Sequence, residues 1–155
     1  LKELNMHRKV QLIVSGGIRS GADVAKAMAM GADAVSIGSA AMIALNCNAD
    51  MYPEDYEKLG TAAGYCHHCH TGKCPVGVAT QDPELEKRLE PELAGKRVKN
   101  YLATLTLELQ TLARANGKSD VRNLEPEDLA ALTVEAAAMA RVPLAGTNWI
   151  PGHKL

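Results

Sequence analysis

Residues 10–39 read VQLIVSGGIRSGADVAKAMAMGADAVSIGS, and this stretch decides the fold. Its first five residues are mostly apolar and partly β-branched, and they run straight into the glycine turn Ser15-Gly16-Gly17. Such a run suits a buried parallel strand. Residues 20–30 then predict a helix: Ser20 is placed to cap it, Asp23 stands in its first turn, and Val24, Ala27 and Met28 share a face. Gly31 fits the stop. Residues 34–37, AVSI, predict a second short strand that again ends on glycine, at Gly38-Ser39, with a further helix over roughly 40–45. The order β–turn–α–β–turn–α implies parallel strands joined by a right-handed crossover, hence an α/β fold.

Two parallel strands that each end in a glycine turn present backbone N–H groups at one end of a sheet, and a helix N-terminus there adds partial positive charge. Such a place suits a phosphate. In (β/α)8 barrels a phosphate site is commonly built from the loops after strands seven and eight. Tight βα turns require glycine in any α/β protein, so spacing alone leaves both readings open.

Composition narrows the class. The chain has 155 residues, no Phe, a net charge of −1 and four cysteines. The charges are dispersed, which gives no electrostatic footprint for nucleic acid or an anionic membrane. No apolar run is long enough to span a bilayer, and the N-terminus has no signal-peptide pattern. The expectation is a cytoplasmic protein with a core of Ala, Leu, Val, Ile and Met. Its thiols, in a reducing compartment, would bind metal or do redox chemistry rather than form staples. The start on Leu1, inside what reads as another element, predicts a piece of a longer polypeptide.

The cysteines concentrate in residues 66–78, CHHCHTGKCPVGV. Cys66, Cys69 and Cys74 with His70 have the composition of a Cys3His zinc site. A redox pair at Cys66 and Cys69 is disfavoured, because that spacing does not open a helix after a strand. Short cysteine spacings with a trailing Cys-Pro also recur in iron–sulfur proteins, where thiolates hold the cluster. Gly72, Pro75 and Gly77 would let the backbone bend around an inorganic core. Lys73 would add positive charge or simply be solvated. Cys47 is either a further thiolate or a small buried hydrophobe.

The segment SGGIRSGADVAKAMAMGADAVSIGSAAM, residues 15–42, resembles the last two βα units of the FMN- and nucleotide-binding TIM barrels. Members include IMP dehydrogenase, type 2 isopentenyl diphosphate isomerase and the FMN domain of glutamate synthase. The resemblance implies that Ser15, Gly16, Gly17, Gly38 and Ser39, with Arg19 as a further candidate, hold the phosphate of a flavin or nucleotide. Residues 69–85, CHTGKCPVGVATQDPEL, choose among the members. They resemble the segment that follows the barrel in the FMN-binding domain of glutamate synthases, where cysteines ligate an iron–sulfur cluster. Ala63 stands where the bacterial enzymes carry the first cysteine of a [3Fe–4S] site. The implied ligands are therefore Cys66, Cys69 and Cys74 for three irons, or those plus Cys47 for [4Fe–4S].

Beyond the cluster segment, residues 91–115 predict a long amphipathic helix with Val98, Tyr101, Leu102, Leu105, Leu109 and Leu112 on its apolar face. A second helix is expected over about 125–140, with Leu129, Leu132, Ala136 and Met139 along one side, and the tail from Val142 should be extended and anchored by Trp149. The expected organisation is residues 1–46 as the end of an FMN barrel, 47–85 as the cluster segment and 86–155 as a helical hairpin with tail. A complete barrel needs roughly 200 residues or more. The upstream part of the barrel, from the same polypeptide or a partner chain, would carry the flavin-ring and substrate contacts, so no catalytic side chain is assigned here. The resemblance implies reductive synthesis of glutamate from 2-oxoglutarate and glutamine-derived ammonia, with glutaminase-type and electron-donor domains or subunits as partners. A relative making N-methylglutamate, a zinc-stapled structural module, and an IMP dehydrogenase relative with one nucleophilic cysteine are the alternatives.

Overall fold

Short β-branched runs at Ile13–Ser15 (β1) and Ala34–Ser36 (β2) pair in parallel in the computed structural model, which describes residues 1, 3–7 and 9–152. Ile13 stands opposite Ala34 and Ser15 opposite Ser36, so the strands end level. The Asp33 carboxylate accepts the Leu12 N–H at 2.7 Å and fixes the start of the pair. Between the strands runs α1 (Gly21–Ala29), capped by Ser20 as expected, and Asp23 completes a capping box: the Ser20 hydroxyl accepts the Asp23 N–H, and the Asp23 carboxylate accepts the Ser20 N–H. The strands are shorter than expected, and they are not buried, since Ile13 is 67% exposed. A parallel strand becomes buried when other strands flank it and helices cover both faces. The described residues supply two strands, part of an α/β arrangement in an α-rich chain.

Among the described residues five more α-helices follow: α2 (Ser39–Ala44), α3 (Pro53–Lys58), α4 (Pro83–Glu86), α5 (Pro91–Ala115) and α6 (Val134–Ala140). The chain divides into two compact units, Leu1–Ile37 with Thr104–Leu155, and Gly38–Ala103.

In the first unit the buried residues are small or branched: Val24, Ala25 and Ala29 from α1, and Leu105, Leu109 and Ala113 from α5. Close approach replaces bulk in this Phe-free core. Gly21 lies so near α5 that a Cβ there would stand 2.5 Å from the Leu105 carbonyl oxygen and 2.6 Å from the Leu109 nitrogen. A second small cluster joins Ala131, Ala137 and Val142. The second unit is built on Tyr56, Cys74 and Val76, with Ala49, Tyr52, Ala63, Cys66, Val78 and Ala79 packed around them.

The long helix α5 has the expected span, and Leu105 and Leu109 face inward, whereas Leu102 is 42% exposed. The helix expected over 125–140 is broken. A 3₁₀ turn at Pro126–Asp128 gives way to extended backbone at Leu129, and Thr133 caps a new start at α6. Ala131 uses its N–H on the Pro143 carbonyl and its carbonyl on the Ala145 N–H, both at 2.8 Å. Those bonds to the returning tail draw it out of any helix. Leu132 and Met139 are each 87% exposed and Ala136 is exposed, while Ala137 is fully buried, so the inward side of α6 differs from the expected one. Trp149 is 43% exposed and contributes its carbonyl, to the Leu144 N–H, rather than a buried ring. Residues 153–155 of the tail lie outside the described residues. Among those described, no helix is long and apolar enough to cross a membrane.

Candidate metal centre and phosphate cradle

All four cysteines fall in the second unit, and all four are free thiols. Cys74 is buried in the core beside Tyr56 and Val76, Cys66 packs against the same core, Cys47 is half-buried, and Cys69 is exposed. Cys69 opens a 3₁₀ turn, Cys69–Thr71, that closes on Gly72 at φ +72°. The turn is held from both sides: the Thr71 hydroxyl donates to the His68 carbonyl at 2.8 Å, and the Thr80 hydroxyl donates to the Gly72 carbonyl.

The run after Cys74 owes its residue types to packing. Gly77 closes a turn onto the Cys74 carbonyl and takes φ +77°. A Cβ there would stand 2.5 Å from the Leu85 carbonyl oxygen. Asp82 caps α4 by accepting the Glu84 and Leu85 N–H groups, and Pro83 takes its first turn. The Arg88 guanidinium then reaches back over the Tyr52 ring, 4.1 Å from its centroid, to the Pro75 carbonyl and the Asp55 carboxylate, each at 2.7 Å. The run from Gly77 to Arg88 is thus a bracket that ties Pro75, next to Cys74, to Asp55 of α3.

Asn48 makes the other bracket. Its Oδ1 accepts the Cys66 N–H at 2.8 Å, and its Nδ2 donates to the Cys66 carbonyl at 3.2 Å and to Cys47 Sγ at 3.8 Å. Neither Asn48 nor Arg88 was legible as a site residue. The available signal was an Asn beside a Cys, since Asn tolerates the left-handed backbone found at Asn46 and Asn48 on either side of Cys47.

The Cys47 thiol and the Tyr56 hydroxyl are both pushed toward their neutral forms. Burial pushes the Cys47 thiol above its ordinary pKa, and Cys69, Cys74 and Cys66 each push the same way. The Tyr56 hydroxyl is pushed up to about 12, first by burial and then by Cys66, Cys47 and Cys74. Thiolates gathered in this space repel one another, and a positively charged centre would relieve that repulsion. Among the described residues no three His, Cys, Asp or Glu side chains converge as a single ion requires. The zinc arrangement of Cys66, Cys69, Cys74 and His70 is therefore not formed. Four thiols in one compact unit are the donor type that an iron–sulfur core would take.

The residues expected at a phosphate divide between the units. Ser15 ends β1, Gly16 and Gly17 follow at φ +100° and +72°, and all three are exposed. Beside them the first turn of α1 is closed to an anion. The Asp23 carboxylate accepts the Arg19 and Ser20 N–H groups, and the Glu108 carboxylate accepts the Gly21 N–H at 2.7 Å. Gly38 and Ser39 start the second unit, where Gly38 caps α2 without any side-chain bond to the helix. A Cβ on Gly38 would meet nothing within 4 Å, so the start of α2 is open.

Comparison with known proteins gives the family. Residues 1–119 match the family described as the conserved region in glutamate synthase. The chain is 65% identical over 152 residues to a glutamate synthase large subunit-like protein of Rhizobium meliloti, covering 98% of this chain and 34% of that protein. It is 43% identical over 124 residues to the archaeal glutamate synthase [NADPH] of Methanocaldococcus jannaschii, covering 80% of this chain and 21% of that protein. A ferredoxin-dependent glutamate synthase of Cyanidium caldarium is 37% identical over 134 residues, 79% of this chain and 7% of that protein. The chain thus spans about a third or less of the length of these relatives. It belongs to the family defined by the conserved region of glutamate synthase.

Proposed function

We propose that this chain supplies the phosphate end of an FMN site and the thiolates of an iron–sulfur cluster to a cytoplasmic glutamate synthase-type oxidoreductase. The observation that carries the reading is the presence of four free thiols in one compact unit, with Cys74 in the Tyr56 core and Cys66 packed against it. When bound, the two groups supply electron and hydride transfer for the conversion of 2-oxoglutarate and glutamine-derived ammonia to glutamate. The residues here bind and orient. Ser15, Gly16 and Gly17 offer exposed backbone after β1, with Arg19 beside them, and Gly38 and Ser39 offer the uncapped start of α2. Cys66, Cys69 and Cys74 hold the cluster, with Cys47 as the fourth thiolate of a [4Fe–4S] form and dispensable in a [3Fe–4S] form.

In this reading residues 1–46 end an FMN barrel, 47–85 carry the cluster and 86–155 support them. The upstream barrel, a glutaminase-type part and an electron donor belong to the same polypeptide or to partner subunits. The test is Cys74→Ser in the full-length protein purified without oxygen. Iron and visible cluster absorbance should fall sharply while FMN stays bound. Unchanged iron in that variant would overturn the reading.

A further inference from the structure

We propose that Asn48 is the positioning residue of the cluster site: its one carboxamide fixes the Cys66 backbone and donates to the Cys47 sulfur, setting both the seat of the cluster and its electron affinity. The inference rests on the cluster reading above, with Cys47 as a ligand.

The carboxamide uses both of its N–H donors and one oxygen lone pair within this loop. An amide nitrogen has two hydrogens, one for the Cys66 carbonyl at 3.2 Å and one for Cys47 Sγ at 3.8 Å. Its oxygen takes the Cys66 N–H at 2.8 Å, and because that N–H can only donate, the orientation of the amide is fixed. The Asn48 main chain adds another tie, its carbonyl accepting the Gly64 N–H at 3.2 Å. Residues 47 and 66 are distant in sequence, and this side chain bonds to both. The backbone agrees: Asn46 at φ +90° and Asn48 at φ +62° place Cys47 between two left-handed residues, a conformation Asn tolerates better than most.

Such a contact has a redox consequence. An N–H aimed at a cluster thiolate stabilises the more negative, reduced state and raises the potential. Asp at this position would keep the acceptor for the Cys66 N–H, lose the donor to sulfur and add negative charge. Gly would keep the left-handed backbone and lose the bracket altogether.

The test uses the full-length protein with its cluster loaded anaerobically, read by iron and sulfide content, by EPR-monitored redox titration, and by the rate of iron loss to a chelator. Asn48→Asp should hold its iron and show a more negative midpoint potential. Asn46→Asp is the control for charge alone, since that side chain bonds Met51 Sδ at 3.0 Å, and it should shift the potential much less. Asn48→Gly should fold and release iron several-fold faster. An unchanged potential in Asn48→Asp, or a shift matched by Asn46→Asp, overturns the role of Asn48 and leaves the cluster reading standing. Unsubstituted protein without iron and sulfide overturns both.

Discussion

Arg88 and Asp55 meet at 2.7 Å across the second unit, and the same guanidinium nitrogen bonds the Pro75 carbonyl, next to the buried Cys74. Both partners are about three-quarters shielded, and the guanidinium lies over Tyr52. Lys cannot reproduce a planar stack together with two directed bonds. Arg88→Lys should cost about 1 kcal/mol and Arg88→Met about 2–3 kcal/mol. Urea unfolding of the full-length protein, followed by limited proteolysis of the segment around Cys74, checks the order.

Two glycines of the same loop separate strain from collision. Gly72 and Gly77 both have left-handed φ, yet a Cβ on Gly72 would meet nothing within 4 Å, and one on Gly77 would strike the Leu85 carbonyl. Gly72→Ala should cost about 1 kcal/mol. Gly77→Ala adds overpacking of roughly 1–3 kcal/mol and should lower soluble yield and cluster content together. Equal effects of the two substitutions would contradict this packing.

These contrasts show how far the sequence could be read. The βαβ order, the Ser20–Asp23 cap and the span of α5 followed from local signals, because periodicity and capping act within a few residues. The strands' exposure did not, because burial of VQLIV depends on neighbouring strands and helices that the described residues do not supply. The break at Leu129 was missed for a related reason. Helical spacing from 125 to 140 is a local pattern, whereas the pairing of Ala131 with the tail is a long-range competitor. At the site, the thiols were visible as spacing, but Asn48 and Arg88 act across 18 and 33 residues of sequence and carry no motif of their own.

Acid should loosen α1 through Asp23. Its carboxyl is held down to about 2, first by Lys26, then by the Arg19 N–H. A carboxylate depressed in the fold contributes stability above its unfolded value near 3.8, and that contribution is lost as pH falls toward about 2. At neutral pH Asp23→Asn should cost about 1 kcal/mol, as loss of a cap does. The gap between variant and parent, read as amide exchange in α1, should begin to close below about pH 4.

The proposed cradle makes a directional prediction about flavin. Since Glu108 already occupies the Gly21 N–H and α2 starts without a side-chain cap, the two helix starts should respond differently. Ser39→Asp would place a carboxylate where the phosphate charge is expected and should strip most FMN from the purified protein. Glu108→Gln should leave FMN content unchanged. The reverse pattern would relocate the phosphate to α1.

The proposed iron–sulfur cluster rests on Cys66, Cys69 and Cys74, with Cys47 as the fourth thiolate of a four-iron form. Iron, acid-labile sulfide and zinc per chain, determined on full-length protein purified without oxygen, test it most directly. A cluster on these thiols gives brown protein with about three or four irons, matching sulfide and little zinc. The higher count should drop in Cys47→Ser if four thiolates are used. Colourless protein with one zinc and no sulfide would contradict the account.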